Sequence, residues 1–415
     1  MQMKRAVITG MGAMTPLALT IEETWQKLVA GESGIDEITL FDTTDHKTKI
    51  AGEVKGFNPE DYMDSKEARH MDRFCQLAVA AAGEAVKDAE LMSMPQLDIE
   101  RVAVIVGSGI GGMLTFTEES RKLFERGPRR ISPFFIPMMI SDIAAGQISM
   151  RYGFRGPNYA TTSACASSAN ALADAWRIIQ RGESDVVIAG GAEATINELG
   201  VGGFNALKAL STRNEEPQKA SRPFDQERDG FVMGEGSGML IIESLEHALQ
   251  RNAKIYGELA GAGLSADAYH VTMPAPEGYG AQLAMKRCLV NANIQPEEVQ
   301  YINAHGTSTP ANDKNETIAI RKVFGAHADA LSVNSTKSML GHLLGASGVI
   351  EAAVILLSMR DGILHPTVNQ EIPDPECDLD YIPNKAQKRE INISLSNSFG
   401  FGGHNACLCL RRFES

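Results

Sequence analysis

The sequence lacks the cysteine patterns that hold small or metal-bound domains together. Its cysteines are scattered, with no Cys-x-x-Cys pair and no Cys/His zinc spacing. This absence excludes a disulfide framework and a zinc module, and it is typical of a reduced, cytoplasmic protein that binds no metal. The six residues are Cys75, Cys165, Cys288, Cys377, Cys407 and Cys409.

Excess positive charge and long apolar runs are also missing. The formal net charge is −13, which argues against non-specific binding to nucleic acid. No apolar stretch reaches the length that a membrane-spanning helix needs. The apolar run after Arg5 is interrupted by Gly10, Gly12 and Pro16, so we expect a strand and a turn there instead of a signal peptide.

The chain does have length and a regular alternation of apolar patterns. Its 415 residues are 43% hydrophobic, which is enough for a large core. β-branched runs alternate with Ala-rich helical patterns, which favours an α/β fold. We predict strands at 5–9, 101–106, 185–189, 255–260, 299–303, 391–395 and 406–410, and helices at 21–30, 72–90, 138–149, 280–292 and 346–359, with Gly10-Met11-Gly12 ending the first strand.

Two stretches, 161–182 and 334–362, follow the same order of features. Each runs from a hydroxyl-rich strand end through a polar turn into an Ala-rich helix and a glycine. A strand ending in a glycine pair follows each helix, at Gly190-Gly191 and Gly402-Gly403. We interpret this as an internal duplication into halves 1–253 and 254–415, which share one core and whose polar turns face each other.

The first polar turn contains a cysteine. Cys165 follows the run Ala160–Ala164 and precedes small residues and a helical pattern. Its sulfur should therefore lie near a helix N-terminus, where unpaired N–H groups and the helix dipole favour a thiolate. A nucleophile and a buried structural cysteine both fit this pattern.

Three later segments carry polar groups at strand ends. His305 lies among hydroxyls in 303–310, Lys337 and His342 flank a turn that Gly341 permits, and 398–405 is rich in glycine. Such glycines let the backbone approach a ligand or change shape. A structural histidine, a solvated lysine and a plain turn are the simpler interpretations.

A dinucleotide site is an alternative for one motif. Gly107–Gly112 reads Gly-x-Gly-x-x-Gly after a strand and before a helix, and Glu125 stands near the distance expected for a ribose contact. Glu125, however, ends a helix and not a second strand.

Taken together, these motifs resemble those of the β-ketoacyl-acyl-carrier-protein synthases, and most closely the elongating synthase II type. The resemblance is carried by Thr-Thr-Ser-Ala-Cys-Ala-Ser-Ser around Cys165, Asn-Ala-His-Gly-Thr-Ser-Thr-Pro around His305, and Ser-Thr-Lys-Ser-x-x-Gly-His from Lys337 to His342. It extends through Gly107–Gly112, Arg222–Asp225, Asp229–Gly236 and the Gly-Phe-Gly-Gly loop. It implies a thiolase-like fold, with a duplicated five-layer α-β-α-β-α architecture, and a homodimer.

The resemblance also implies an activity. Cys165 would take an acyl chain from acyl carrier protein, and malonyl-acyl-carrier protein would lose carbon dioxide to give an enolate that attacks this thioester. The product would be a β-ketoacyl chain two carbons longer, as in fatty acid elongation. No cofactor is implied.

Roles for individual residues follow from the same resemblance. His305 and His342 would donate to the malonyl carbonyl, and the charge of Lys337 would keep them neutral. Backbone N–H groups of Cys165 and Phe401 would form a second oxyanion hole, with Phe401 also acting as a gate. Ile110 and Phe204 would line the acyl tunnel, and Thr307 and Thr309 would contact the pantetheine arm. His270 would hold a water, and Glu351 would support Lys337. A basic patch for the carrier protein would consist of Lys66, Arg69, Arg129, Arg130 and Lys208.

Two other functions compete with this one. A catalytically silent partner of a condensing enzyme would lack the cysteine, which is present here. A cysteine thioesterase would use Cys165 and His305 but would need neither Lys337 nor His342.

Two residues depart from the family pattern. Many relatives carry a second basic residue at the position of His70 and a threonine at the position of His404.

Overall fold

The computed structural model describes residues 3–94 and 96–414, in which strands and helices alternate along the chain. The strands are β1 (Ala6–Met14), β2 (Asp36–Glu37), β3 (Ile50–Ala51), β4 (Val102–Gly107), β5 (Asn158–Thr161), β6 (Val186–Glu193), β7 (Gly236–Ser244), β8 (Gly257–Ala266), β9 (Tyr301–Asn303), β10 (Ser332–Asn334), β11 (Ile363–Leu364), β12 (Gln387–Lys388), β13 (Ile393–Gly400) and β14 (His404–Arg411). The helices are α1 (Ile21–Ala30), α2 (Ser65–Ala68), α3 (Arg73–Asp88), α4 (Met113–Arg126), α5 (Phe135–Met139), α6 (Ile143–Tyr152), α7 (Ser167–Arg181), α8 (Glu198–Ala206), α9 (Leu245–Gln250), α10 (Tyr279–Ala292), α11 (Pro310–Phe324), α12 (Lys337–Leu340) and α13 (Ser347–Asp361).

Ten strands form one mixed sheet with internal symmetry. Their order is β10-β9-β13-β14-β8-β1-β7-β6-β4-β5, and the antiparallel pair β1–β8 joins the two halves. On each side of this pair the strands follow the same chain order and the same pattern of parallel and antiparallel neighbours. The symmetry supports the predicted duplication. The boundary predicted at 253/254 falls in the loop between α9 and β8, and it stays a prediction.

Helices form three layers around the two halves of the sheet. Helices α7 and α13 pack between the halves, against β6 and β4 on one side and β13 on the other. Helices α3 and α6 cover the outer face of the first half, and α10 and α11 that of the second. Each layer has its own buried apolar cluster, which confirms the predicted α-β-α-β-α architecture.

The two central helices begin and end in the same way. Before α7, Ala164 has φ 50°, and before α13, Leu344 has φ 48°. Both residues start a 3-10 turn that leads into a helix of 15 residues. Gly182 and Gly362 end these helices in the left-handed region, at φ 69° and 65°. The positive φ values bend the chain sharply, so each turn is held close to the start of its helix.

Several element boundaries differ from those predicted. β1 continues through Gly10-Met11-Gly12, where the lack of side chains at both glycines lets the strand lie directly against Ala81 and Ala85 of α3 and against Ala89, which follows this helix. The predicted helix 138–149 is two helices, broken at Ile140, whose backbone is extended.

The glycine pairs are not equivalent either. Gly190-Gly191 lies inside β6, whereas Gly402-Gly403 forms the turn between β13 and β14 with φ 85° and 74°. This part of the predicted duplication is therefore wrong.

Among residues 3–94 and 96–414, no helix combines the length and apolar character needed to cross a bilayer.

Candidate active site

A cavity of about 480 Å³ opens where the polar turns of the two halves meet. Cys165, His305 and His342 all line it. The Cys165 sulfur and one ring nitrogen of each histidine lie within 4.8 Å of one another. Three residues that are far apart in the sequence thus share one site.

Cys165 lies in the 3-10 turn before α7, directly after the strained Ala164. Its thiol is half-buried against apolar neighbours. Burial raises the pKa of Cys165 to about 12, although the charge of Lys337 and the backbone N–H groups of Phe401 and Cys165 oppose this shift. The expectation that this position favours a thiolate is therefore wrong, because desolvation outweighs the positive groups around the sulfur.

The two histidines lie edge to face, with ring centroids 5.3 Å apart. Burial lowers the pKa of both rings well below the usual value, and the charge of Lys337 lowers them further. Both imidazoles are thus neutral at pH 7, in the direction that the sequence analysis predicts. Nδ1 of His342 accepts the N–H of Leu344 at 3.2 Å and lies 3.0 Å from the Ser347 hydroxyl. The proton of the neutral ring is therefore on Nε2.

This tautomer also bears on metal binding. Cys165, His305 and His342 form the one group of three such ligand side chains found among the described residues. A metal would need a lone pair on Nε2 of His342, but the neutral ring carries its proton there. The arrangement therefore suits hydrogen-bond donation and not metal ligation.

Lys337 is buried beside this group and forms an ion pair with Glu351. Both side chains are 2% exposed, and the Ser221 hydroxyl donates to the Lys337 carbonyl at 2.7 Å. The predicted support of Lys337 by Glu351 is thus present as a direct contact. The pair places a fixed positive charge near both imidazoles.

Glu316 is a residue of the site that the sequence analysis missed. Its carboxylate accepts the backbone N–H groups of His305 and Gly306, both at 2.8 Å, and the Asn397 amide at 3.1 Å. It thereby fixes the loop that carries His305. Burial raises the pKa of Glu316 to about 7. The only sequence signal was an acidic residue on the inner face of α11.

Most of the predicted pocket residues lie together. Ile110, Phe204, Thr307, Thr309 and Phe401 all line the cavity. The rings of Phe204 and Phe401 have centroids 6.4 Å apart, and the Thr307 and Thr309 hydroxyls lie 2.9 Å from each other.

His270 is the exception. Its side chain is exposed and is not part of the cavity lining, although Val271, Thr272 and Met273 are. Its Nδ1 accepts the N–H groups of Thr272 and Met273, both at 3.1 Å. These bonds make His270 a support for its own loop, and its expected role in holding a water stays a prediction.

The residues of the predicted basic patch are all exposed. Within the described chain, none of them forms an ion pair with a carboxylate. Lys208 also lines the cavity. The ring of His70, next to Arg69, stacks on Phe134 at 3.9 Å between centroids, which brings α2 beside the segment that follows Arg130. The patch consists of Lys66, Arg69, Arg129, Arg130 and Lys208.

The dinucleotide interpretation of Gly107–Gly112 does not fit the loop geometry. The N–H groups of Gly109 and Ile110 donate to Glu193, and that of Gly111 donates to the Ser108 hydroxyl. Because these donors already have protein acceptors, they are not free to bind a pyrophosphate. Glu193 is the second residue that the sequence analysis missed.

Comparisons with known proteins agree with this geometry. Residues 3–248 match the family described as beta-ketoacyl synthase, N-terminal domain, and residues 256–371 match the corresponding C-terminal domain. The chain is 53% identical over 414 residues to 3-oxoacyl-[acyl-carrier-protein] synthase 2 of Staphylococcus aureus (strain COL), covering 100% of both chains. It is 49% identical to the protein of the same name from Synechocystis sp., covering 100% of this chain and 99% of that one.

A solved structure is similar over the whole fold. It is a type II PKS ketosynthase in complex with its acyl-carrier protein and bound to a hexaketide. It superposes with a TM-score of 0.92 at 35% identity and covers 99% of this chain and 100% of that chain. These matches confirm the family and the fold predicted from the motifs.

Proposed function

The chain belongs to the β-ketoacyl synthase family, and we propose that it acts as a 3-oxoacyl-acyl-carrier-protein synthase of fatty acid elongation. It is an acyl-transferring condensing enzyme. The observation that carries the proposal is the convergence of Cys165, His305 and His342 within 4.8 Å in one cavity. This set combines a nucleophile with two neutral hydrogen-bond donors, which an acyl-transfer and decarboxylation reaction both require.

The first half-reaction transfers the acyl chain to the enzyme. The Cys165 sulfur attacks the acyl carbonyl, the bond to the carrier thiol breaks, and the thiol proton of Cys165 goes to the leaving sulfur. Because burial raises the pKa of Cys165, the sulfur starts as a neutral thiol and gives up its proton in this step. The backbone N–H groups of Phe401 and Cys165 lower the pKa of the Cys165 thiol. This effect supports their role as donors to the negative oxygen of the tetrahedral intermediate.

The second half-reaction releases carbon dioxide. The bond between the malonyl methylene and its carboxylate breaks, and its electron pair forms an enolate whose oxygen needs donors. Neutral His305 and His342 supply these donors, and each is worth roughly 2.7–4 kcal/mol in comparable oxyanion chemistry. Burial and the charge of Lys337 keep both rings neutral. No imidazolium is therefore present to protonate the enolate carbon.

Condensation completes the cycle. The enolate carbon attacks the acyl carbonyl on Cys165, the carbon–sulfur bond breaks, and the Cys165 thiolate leaves and takes up one proton from solvent. The product is the β-ketoacyl-carrier protein. None of these steps uses a cofactor.

An assay of three products tests this function against the thioesterase alternative. Purified protein is incubated with acyl- and malonyl-carrier protein, and β-ketoacyl product, carbon dioxide and free fatty acid are measured. Product and carbon dioxide in equal amounts support the synthase. Free fatty acid without carbon dioxide would establish a thioesterase instead. The silent-partner alternative predicts no product at all, and the presence of Cys165 argues against it.

The carrier protein is the expected partner in both its acyl and malonyl forms. The chain as a whole is acidic, so attraction to an acidic carrier must be local. The basic patch meets this need because its five side chains are exposed and Lys208 reaches the cavity mouth.

A second copy of the chain is the other expected partner. β5 forms one edge of the sheet, and the segment between β4 and β5 exposes Phe116, Phe124, Phe134 and Ile136. An open edge beside apolar side chains is typical of a subunit interface, which supports a homodimer. Light scattering of the purified protein measures the number of subunits.

We place the protein in the cytoplasm, because its cysteines are free in the described chain.

A further inference from the structure

Glu193, at the end of β6, is a fully buried carboxylate with an unusual set of partners. Its Oε1 accepts the Ser108 hydroxyl at 3.0 Å and the Ile110 N–H at 3.2 Å. Its Oε2 accepts the Gly109 N–H at 2.8 Å and the Gly345 N–H at 3.0 Å. Burial raises the pKa of Glu193, but four donors face its two oxygens, and this arrangement favours the carboxylate.

These four donors come from both halves of the molecule. Ser108, Gly109 and Ile110 follow β4, and Ile110 lines the cavity. Gly345 lies in the turn after His342, next to Leu344, whose N–H fixes the His342 ring. One side chain thus joins the acyl side of the cavity to the histidine that serves decarboxylation.

The two loops also touch each other with no room between them. A Cβ on Gly345 would lie 2.5 Å from the Gly109 nitrogen and 2.7 Å from Oε2 of Glu193. A Cβ on Gly109 would lie 2.9 Å from the same oxygen. Within residues 3–94 and 96–414, no lysine or arginine forms an ion pair with Glu193, so three backbone N–H groups and the Ser108 hydroxyl hold its charge. A change at this carboxylate must therefore move both loops.

We propose that Glu193 is a positioning residue that holds the Ile110 loop and the His342 turn in register, so that Nε2–H of His342 points at the malonyl carbonyl. This inference rests on the proposed function. Glu193 lines the cavity, but protein donors already occupy both of its oxygens. It acts through Gly345 and Leu344 on the tautomer and direction of His342.

Glu193→Gln tests the proposal with little change in size. A Gln amide offers one oxygen and one NH2 group, so in either orientation at least one backbone N–H faces another donor, although the Ser108 hydroxyl can turn and accept. Misplacing a catalytic group by about 1 Å costs roughly a hundredfold. We expect kcat for carbon dioxide release from malonyl-carrier protein to fall by about 10- to 100-fold, with KM little changed. Acylation of Cys165 by a six-carbon acyl-carrier protein, read by mass spectrometry, should fall less than carbon dioxide release, because loss of the Glu193 charge lowers the pKa of the Cys165 thiol and so opposes any loss of geometry.

The pH profile gives a readout that a loss of stability would not move. If the His342 turn loosens, the Leu344 N–H no longer holds Nδ1 unprotonated, so the acid limb of carbon dioxide release should move to higher pH. Glu198→Gln is the matched control, since Glu198 lies on the surface of α8 and pairs with Arg121. It should behave as the unmodified protein in every assay.

The outcomes separate this inference from the proposed function. If the unmodified protein neither acylates nor decarboxylates, the proposed function fails. If it does both and Glu193→Gln loses neither, or loses both in equal proportion, the positioning role is wrong. If Glu193→Gln does not fold, Ser108→Ala decides, because it removes one donor and adds none. A few-fold selective fall in carbon dioxide release supports the role, and an unchanged rate overturns it.

Discussion

The N–H of Leu344 donates to Nδ1 of His342 across 3.2 Å, and this bond determines which edge of the ring carries the proton. Nε2–H is then the group left for the substrate. Because burial and Lys337 both lower the pKa of the ring, it stays a neutral donor throughout the physiological range. We therefore propose that His342 stabilises an oxyanion and does not transfer a proton.

His342→Ala should abolish this stabilisation while leaving the cysteine reactive. We expect carbon dioxide release to fall by about 10²- to 10³-fold, as for other lost oxyanion donors. Acylation of Cys165 should continue. His342→Gln, whose amide nitrogen reaches nearly as far as Nε2, should recover part of the rate. Loss of acylation with intact decarboxylation would reverse the assigned roles.

Cys165→Ala should show the opposite pattern. No acyl adduct forms, since the attacking sulfur is gone, whereas malonyl-carrier protein can still lose carbon dioxide between the two histidines. Mass spectrometry of the intact protein and a carbon dioxide assay measure the two steps. Cys377→Ala is the control, because this buried thiol lies in the apolar cluster around α10 and α11, away from the cavity lining. A Cys165→Ala protein that still condenses would exclude the cysteine as nucleophile.

Lys337 should control the pH dependence of decarboxylation. Its charge is among the causes that lower the pKa of both imidazoles, second to burial. In Lys337→Met the rings protonate more easily, so the fall in carbon dioxide release on acidification should begin at a higher pH. The substitution also leaves Glu351 buried without its partner, which typically costs about 3–5 kcal/mol of stability. Lys337→Met with Glu351→Gln should restore much of that stability while the shifted pH profile remains.

The sequence was sufficient for the fold and for selecting candidate residues that share one cavity, because both depend on local signals. Apolar periodicity marked α7 and α13, and polar residues at strand ends marked Cys165, His305 and Lys337. The extent of β1 was not predictable in this way. Gly10 and Gly12 look like a turn, and only the approach of α3 shows why a strand needs glycine there.

Glu193 and Glu316 show a second limit. Both carboxylates bind backbone N–H groups of distant loops, and every residue has such a group, so no spacing in the sequence identifies the partners. A weak signal does exist, since Glu193 ends the apolar run of β6 and such a buried acid needs donors. The prediction that the position of Cys165 favours a thiolate failed for a related reason. Proximity to a helix N-terminus could be inferred, but the apolar wall around the thiol depends on the tertiary fold.

Reversing charge in the basic patch should weaken carrier-protein binding and not the chemistry. For Arg129→Glu and Arg130→Glu we expect KM for acyl-carrier protein to rise by up to about fivefold each, since exposed charges are worth roughly 0.2–1 kcal/mol. The effect should shrink at high salt. The rate with an acyl-pantetheine thioester, which lacks the protein, should stay the same. Lys388→Glu on β12, also exposed, is the control, and an equal effect there would contradict a specific patch.

His365 should make stability depend on pH below the range in which the enzyme works. Its ring is fully buried, donates from Nδ1 to the Pro366 carbonyl and accepts the Thr336 hydroxyl at Nε2, 3.0 Å away. Burial lowers the pKa of His365 from 6.5 to about 4. A group whose pKa is depressed on folding stabilises the protein above its unfolded pKa, and that stability is lost as pH falls from about 6.5 to 4. The shift corresponds to about 3 kcal/mol.

Urea unfolding at pH 7.5, 6 and 4.5 measures how the free energy of unfolding depends on pH. His365→Gln should weaken this dependence, because Gln keeps an amide donor and an acceptor but does not titrate. If both proteins lose stability equally over this interval, the acid sensitivity has another source, of which His305 and His342 are the first to examine.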